Sequence, residues 1–176
     1  MYGDLFFDRG YVYLLTFTLP VGKTQVDRLK DKSYESVILG LQLQISRFRA
    51  RGFKINSLLF DGEGALADKD KAERELSISL HPLPSGQHVS VAERRIRFLR
   101  ETERSCEHNI VNETKNLKIP RTMTPYLWKH STTLIDWQPS NLRIDLTSSN
   151  EIYFKRKPIL DKDFKHQWFQ LCSATV

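Results

Sequence analysis

Cysteine is scarce in this chain. Only Cys106 and Cys172 occur in 176 residues, which excludes a disulfide framework and a CxxC metal knuckle. Long apolar runs are missing too. The longest, Tyr11 to Leu19, is nine residues and carries Thr16 and Thr18, whereas a bilayer crossing needs ~20. The first twenty residues offer no basic leader and no small-residue cleavage site, so no secretory signal is expected. Eight Gly and seven Pro are too few for a low-complexity or disordered chain. What is present is a core's worth of apolar residues, 40% of the chain, with ten Phe, six Tyr and three Trp. At roughly 100–200 residues per domain, the expectation is one soluble, intracellular domain with a short tail. Lys plus Arg outnumber Asp plus Glu by 27 to 21, giving +6 and a pI near 9.4. That balance points toward a polyanionic partner.

The chain opens on strands. Met1 to Phe7 is short and aromatic, Asp8-Arg9-Gly10 is a turn cluster, and Tyr11 to Leu19 is rich in aromatic and β-branched residues. Together they read as an antiparallel hairpin, followed by an exposed third strand over Thr24 to Arg28. Ser33 to Arg51 follows as a helix, with Ser33 as N-cap, Gly52 past the C-terminus, and Val37, Leu41, Gln44, Ile45 and Phe48 at helical spacing. Lys54 to Phe60 reads as a strand delivering Asp61, Ala65 to Glu75 as a short exposed helix, and Leu76 to Leu80 as a small strand. A loop from His81 to Gly86 with two prolines leads into the clearest helix, Val89 to Glu107. Its apolar stripe is Val89, Ala92, Ile96 and Leu99, and Arg94, Arg95, Arg97, Arg100 and Arg104 fill much of the remainder. Pro120 and Pro125 bracket a break, and a helix runs from Thr124 to Trp137. Beyond Ser140 the pattern weakens, with a last strand within Phe164 to Val176. The order predicts a mixed α/β layer fold with helices on both sheet faces. The domain boundaries read as a core over 1–145 and an extension over 146–176.

Three acids sit on these elements. Asp4 lies in the first strand, Asp61 directly after Leu58-Leu59-Phe60, and Glu93 one turn into the arginine-rich helix. Acids so placed can converge at one sheet edge, where their mutual repulsion calls for hard divalent cations with oxygen ligands. Two such ions ~3.5–4 Å apart serve phosphoryl displacement. The alternative is chance placement among 21 acids. Asp8 reads as a turn residue, and Glu63 as a loop acid rather than a partner behind the site.

The segment Leu58 to Leu66 (LLFDGEGAL) and the segment Gly86 to Arg97 (GQHVSVAERRIR) carry a resemblance. Together they are similar to the catalytic core of retrotransposon integrases, where a second aspartate ends a central strand and a glutamate lies in a helix reading roughly xxHxxxxAERxxRxxKE. Gly3-Asp4-Leu5-Phe6-Phe7 resembles the family's first catalytic strand, and Leu134 to Ser140 (LIDWQPS) its NxxPS turn. Lys155-Arg156-Lys157 and Asp161 to Phe169 resemble the end of Ty1/copia-type cores. The resemblance implies a ribonuclease H-like fold, a D,D,E triad of Asp4, Asp61 and Glu93, and magnesium or manganese, two ions, as cofactor. It implies trimming of a DNA 3′ end by water, then attack of that hydroxyl on target DNA. DNA is the implied partner, in the nucleus, with a homo-oligomer expected and neither a membrane nor a small-molecule substrate. The 57 residues from Asp4 to Asp61 suit the family, whereas the 32 from Asp61 to Glu93 are slightly few. The family's zinc-binding His/Cys cluster has no counterpart, which suggests a truncated core. A non-catalytic DNA-binding or dimerising relic, or a nuclease or transposase of the same fold, remains as an alternative.

Arg97, Arg100 and Arg104 follow Glu93 by four, seven and eleven residues, close to one helix face. They are the expected phosphate contacts, since guanidinium pairs bidentately with phosphate without reading sequence. The plainer alternative is a solvated face on which Glu101 and Glu103 pair with some of them. Trp128 and Trp137 read as core. His81, His108, His130 and His166 read as packing or solvated residues, and His88 as a candidate for the edge of the active site.

Overall fold

The computed structural model describes residues 1–61, 66, 68–82, 90–113, 119–139, 144–159 and 163, without the side chains of residues 61, 82, 90 and 113. Five strands form one mixed sheet in the order β3-β2-β1-β4-β5. β1 (Tyr2–Asp8) and β2 (Tyr11–Thr18) are antiparallel, from Asp8 opposite Tyr11 to Tyr2 opposite Phe17. Arg9 and Gly10, with φ of 46° and 75°, make the two-residue turn whose twist matches the strands. β4 (Ser57–Asp61) runs parallel to β1, and β5 (Ser79–Pro82) parallel to β4. As the sequence order predicts, helices flank this sheet.

Two compact units make up the chain, one of Met1–Pro20 with Thr24–Phe98, the other of Val21–Lys23 with Leu99–Val176. In the first, α1 (Tyr34–Arg49) and α2 (Lys69–Leu76) pack with Leu14, Leu58, Phe60 and Leu80 in one apolar core. The Ser33 side chain caps α1 by accepting from the Ser36 N–H. Just before it, the Ser33 and Ser36 hydroxyls donate to Asp31 and hold its carboxyl down to about 2.

β3 (Lys23–Leu29) corrects the expectation of an exposed strand. Thr24, Gln25, Val26 and Asp27 are all buried. The polar ones look solvent-facing in sequence, but a buried network takes them up. Gln44 of α1 accepts from the Thr16 hydroxyl at 2.6 Å and donates to Asp27 at 2.9 Å and the Leu14 carbonyl at 3.3 Å. Arg47 grips both Asp27 oxygens, at 2.6 and 3.1 Å, and Gln25 donates to the Gln44 carbonyl. Satisfied in this way, buried polar groups no longer oppose folding, and α1 covers the sheet edge.

Other boundaries shift for local reasons. β4 starts at Ser57 rather than Lys54. Leu76 ends α2, because Asp68 caps that helix and the left-handed Ser77 closes it. His81 and Pro82 belong to β5, not to a loop; β5 is an edge strand, where proline is tolerated. α3 (Ser90–Glu113) continues six residues past the expected end at Glu107.

In the second unit, Ile110 of α3, Ile119 and Leu127 form a small core backed by Cys106 and Met123. A 3-10 turn at Arg121–Met123 leads into α4 (Thr124–Trp137), whose Pro125 sits in the first turn, where no backbone N–H is required. Pro125 is therefore part of the helix rather than of the break. Trp128 and Trp137 are buried, as expected. α5 (Ser149–Phe154), which the apolar pattern does not reveal, opens on a capping box between Ser148 and Glu151. Its Phe154 stacks on Trp137 at 5.9 Å, and the Ser149 hydroxyl donates to the Gly22 carbonyl. Among the described residues no helix is long and apolar enough to cross a membrane. The last expected strand, within Phe164 to Val176, lies outside the described residues.

His130 on α4 gives a pH prediction. Burial lowers its pKa below 6.5. The unfolded chain therefore takes up the proton first as pH falls, so this contribution to stability is intact above about 6.5 and is lost progressively below it. The melting temperature should fall between pH 7.5 and 5.5, and His130→Gln should flatten that slope. An equal slope in both proteins would assign the dependence elsewhere.

Candidate active site

The ladder between β1 and β4 decides what the acids can do. Tyr2 pairs with Leu59, Gly3 with Phe60, and Asp4 with Asp61. Two acids 57 positions apart in sequence are thus direct neighbours across a parallel pair, whose strands lie about 4.8 Å apart. Asp61 ends β4, where chain direction and strand ends place ligand sites in open α/β sheets.

The two sheet faces are chemically distinct. Leu14 and Thr16 meet α1, since Gln44 bonds Thr16 and Gly40 abuts Leu14. Tyr13, Leu15 and Phe17 alternate to the opposite face, and Asp4 shares it as the ladder partner of Leu15. α3 lies over that same face. Arg95 donates to the Thr24 hydroxyl at 2.6 Å, and its guanidinium stacks over Phe17 at 5.0 Å. Glu93, in the first turn of α3, is exposed two residues before that anchor. The structure therefore makes Asp4 and Asp61 ladder neighbours and sets the helix bearing Glu93 over the face that Asp4 shares.

Asp4 is half-buried, and its Oδ1 accepts the Leu5 N–H at 2.7 Å. That hydrogen bond fixes the plane of the carboxyl group. Among the described side chains no group of three or more His, Cys, Asp or Glu gathers to hold a metal; the acid pair rests on the ladder position of Asp61. The donors are carboxylate oxygens only. Such a set fits a hard divalent cation such as magnesium or manganese, and not a thiol- or imidazole-seeking metal. Glu63, His88 and Ser140, singled out in the sequence, lie outside the described residues.

The arginines divide into two groups. Arg97, Arg100 and Arg104 are exposed and, with Glu93, span about 60° of the helix at 100° per residue. Arg95 is held by Thr24, Phe17 and Phe98, so it anchors the helix. Glu103 corrects the picture of a fully solvated face, because it is only 5% exposed and continues the apolar stripe past Leu99. Arg95 looks like a surface charge in sequence and only tertiary packing distinguishes it, whereas Glu103 stands four residues past Leu99 on the apolar stripe, a spacing that signals burial despite its charge.

No family model matches the chain, and no curated protein matches it in sequence. Among solved structures it is similar to the catalytic core domain of BIV integrase, with a TM-score of 0.63 over 88% of this chain and 92% of that one. The fold is that of an integrase catalytic core. Sequence identity is 13%, so the likeness is one of fold. The ribonuclease H-like arrangement expected from the sequence, a mixed five-stranded sheet flanked by helices, is the fold the two share.

Proposed function

We propose that this chain is a metal-dependent polynucleotidyl transferase core of the DNA-integration type, of Ty1/copia-like retrotransposon descent. The observation that carries this reading is the register of Asp4 with Asp61 beneath the helix that bears Glu93. Asp4, Asp61 and Glu93 would hold two magnesium or manganese ions. Those cations, when bound, supply the positive charge that activates an attacking oxygen and steadies the leaving one at a phosphodiester. The remaining work belongs to the chain. β1 and β4 fix two ligand positions on a rigid sheet, and the Leu5 N–H orients the Asp4 carboxylate. Arg97, Arg100 and Arg104, on the ridge continuing from Glu93, bind backbone phosphates and orient the duplex end toward the acids. The exclusion of wrong geometries by this positioning is where most of the rate arises in phosphoryl transfer. The same reading carries DNA as partner, assembly into a homo-oligomer, and work in the nucleus.

The test uses duplex oligonucleotides with recessed and blunt ends, with manganese or with chelator. Metal-dependent shortening or joining of 3′ ends supports the reading. A folded chain that binds DNA but neither trims nor joins ends with either metal is the relic; cleavage without joining is a nuclease. Phosphate binding is tested separately by salt dependence. Arg97→Ala with Arg100→Ala should lower the slope of log affinity against log salt by about 2, since each phosphate a cation neutralises adds about 0.9 to that slope. It should do so equally on unrelated sequences, with circular dichroism unchanged because Ala92, Ile96 and Leu99 stay buried. An unchanged slope would return these arginines to a solvated face.

A further inference from the structure

We infer that Gly3 is a positioning residue: the space left by its missing side chain is filled by the Phe60 ring, and this fit sets the spacing at which Asp4 and Asp61 meet a divalent cation. The inference rests on the acid pair being a cation site, as proposed above. Gly3 and Phe60 are ladder partners one step before Asp4 and Asp61. A Cβ on Gly3 would stand 2.8 Å from Phe60 Cδ2 and 3.3 Å from Leu58 Cδ1. The backbone of Gly3 is not left-handed, so the demand is for space and not for conformational freedom.

The crowding has no cheap relief. Phe60 and Leu58 are 4% and 0% exposed and packed in the core with Leu14, Leu41 and Leu80. A ring so enclosed cannot swing aside without disturbing its neighbours. A side chain at position 3 must therefore push β1 from β4, or carry Phe60 and its strand away. Either movement acts on the residue that follows, which is Asp4 on one strand and Asp61 on the other. Magnesium demands near-ideal octahedral ligation at short distances, whereas calcium tolerates irregular and longer geometry. A displacement of tenths of an ångström between the two acids should thus be felt by magnesium first.

Gly40 supplies a matched control. A Cβ there would be just as crowded, 2.7 Å from Leu29 Cδ2 and 3.0 Å from Leu14 Cδ2, but it lies on α1 and abuts neither acid-bearing strand position. The experiment titrates magnesium and calcium into the full chain by calorimetry, with thermal melting of the metal-free protein alongside. Gly3→Ala should weaken magnesium binding at least tenfold and calcium binding less. Gly40→Ala should lower the metal-free melting temperature by a similar amount, about 5 °C, with magnesium affinity unchanged. Phe60→Leu alone should also weaken magnesium, because the spacer shrinks. Gly3→Ala combined with Phe60→Leu should recover most of the loss, since the new methyl occupies the vacated volume. If Gly3→Ala does not fold, the Phe60→Leu single variant and the double variant still decide. Wild-type magnesium affinity retained in Gly3→Ala and Phe60→Leu would overturn this inference alone, as would an equal loss in Gly40→Ala. A wild-type chain that takes up neither metal would overturn it together with the proposed function.

Discussion

Asp61→Asn should reduce metal-dependent processing of DNA ends by at least about a thousandfold, or ~4 kcal/mol at 1.36 kcal/mol per decade. Asp4→Asn and Glu93→Gln should do the same. Each change removes a charged oxygen ligand while keeping the side-chain volume, so the loss falls on cation affinity rather than on packing. The metal-free protein should be no less stable for it. Asp4 and Asp61 are direct ladder partners, and neutralising either one relieves a like-charge repulsion. Melting curves without metal should therefore coincide with wild type or move upward, whereas the upward shift that manganese gives wild type should disappear in each variant. A variant that retains more than a tenth of wild-type processing would remove that acid from the catalytic set.

The second large effect lies in the other compact unit and concerns folding. Lys23 Nζ donates to Asp136 at 2.8 Å, with the aspartate side chain wholly buried and the lysine 12% exposed. The Lys23 ammonium also lies 5.4 Å from the Tyr153 ring centre. Removing one partner from such a pair leaves a charge without its counterion away from water, which costs about 3–5 kcal/mol. Asp136→Ala should accordingly lower the melting temperature by about 10 °C, at 2–4 °C per kcal/mol for a chain of this size. Lys23→Met with Asp136→Leu should recover most of the stability, because an apolar pair of similar volume needs no desolvation. Equal melting of Asp136→Ala and wild type would show that the pair is solvated.

The elements most legible in the sequence are those that a periodic apolar pattern defines. Val37, Leu41, Ile45 and Phe48 mark α1, and Ala92, Ile96 and Leu99 mark α3; all seven are buried. The order of strands and helices follows from these, and with it the layer fold. What escapes is decided by partners distant in sequence. Thr24, Gln25 and Asp27 look like an exposed strand until Gln44 and Arg47 are placed beside them. Gln44 stands among apolar positions on the helical stripe, and that exception is the available signal of a buried polar network. α5 escapes because six residues are too few to show a period, although Ser148 and Glu151 carry the capping-box spacing.

The acids divide in the same way. That Asp61 terminates an apolar strand can be read locally. That it pairs with Asp4 cannot, because strand register is set by the sheet and a one-residue slip would send Asp4 to the face of α1. Gly3 is silent in sequence for the same reason: its lack of a side chain has meaning only opposite the Phe60 ring.

Whether Asp4, Asp61 and Glu93 share a divalent cation is tested most directly in a crystal of the chain grown with manganese and measured at the manganese absorption edge. Anomalous density is expected between β1 and β4, with carboxylate oxygens of Asp4 and Asp61 within about 2.5 Å of it and Glu93 completing the oxygen shell of one or both ions. Carboxylates of any two of these residues more than about 10 Å apart, with no manganese density beside Asp4, would contradict it, since acids so separated cannot share a metal by direct ligation.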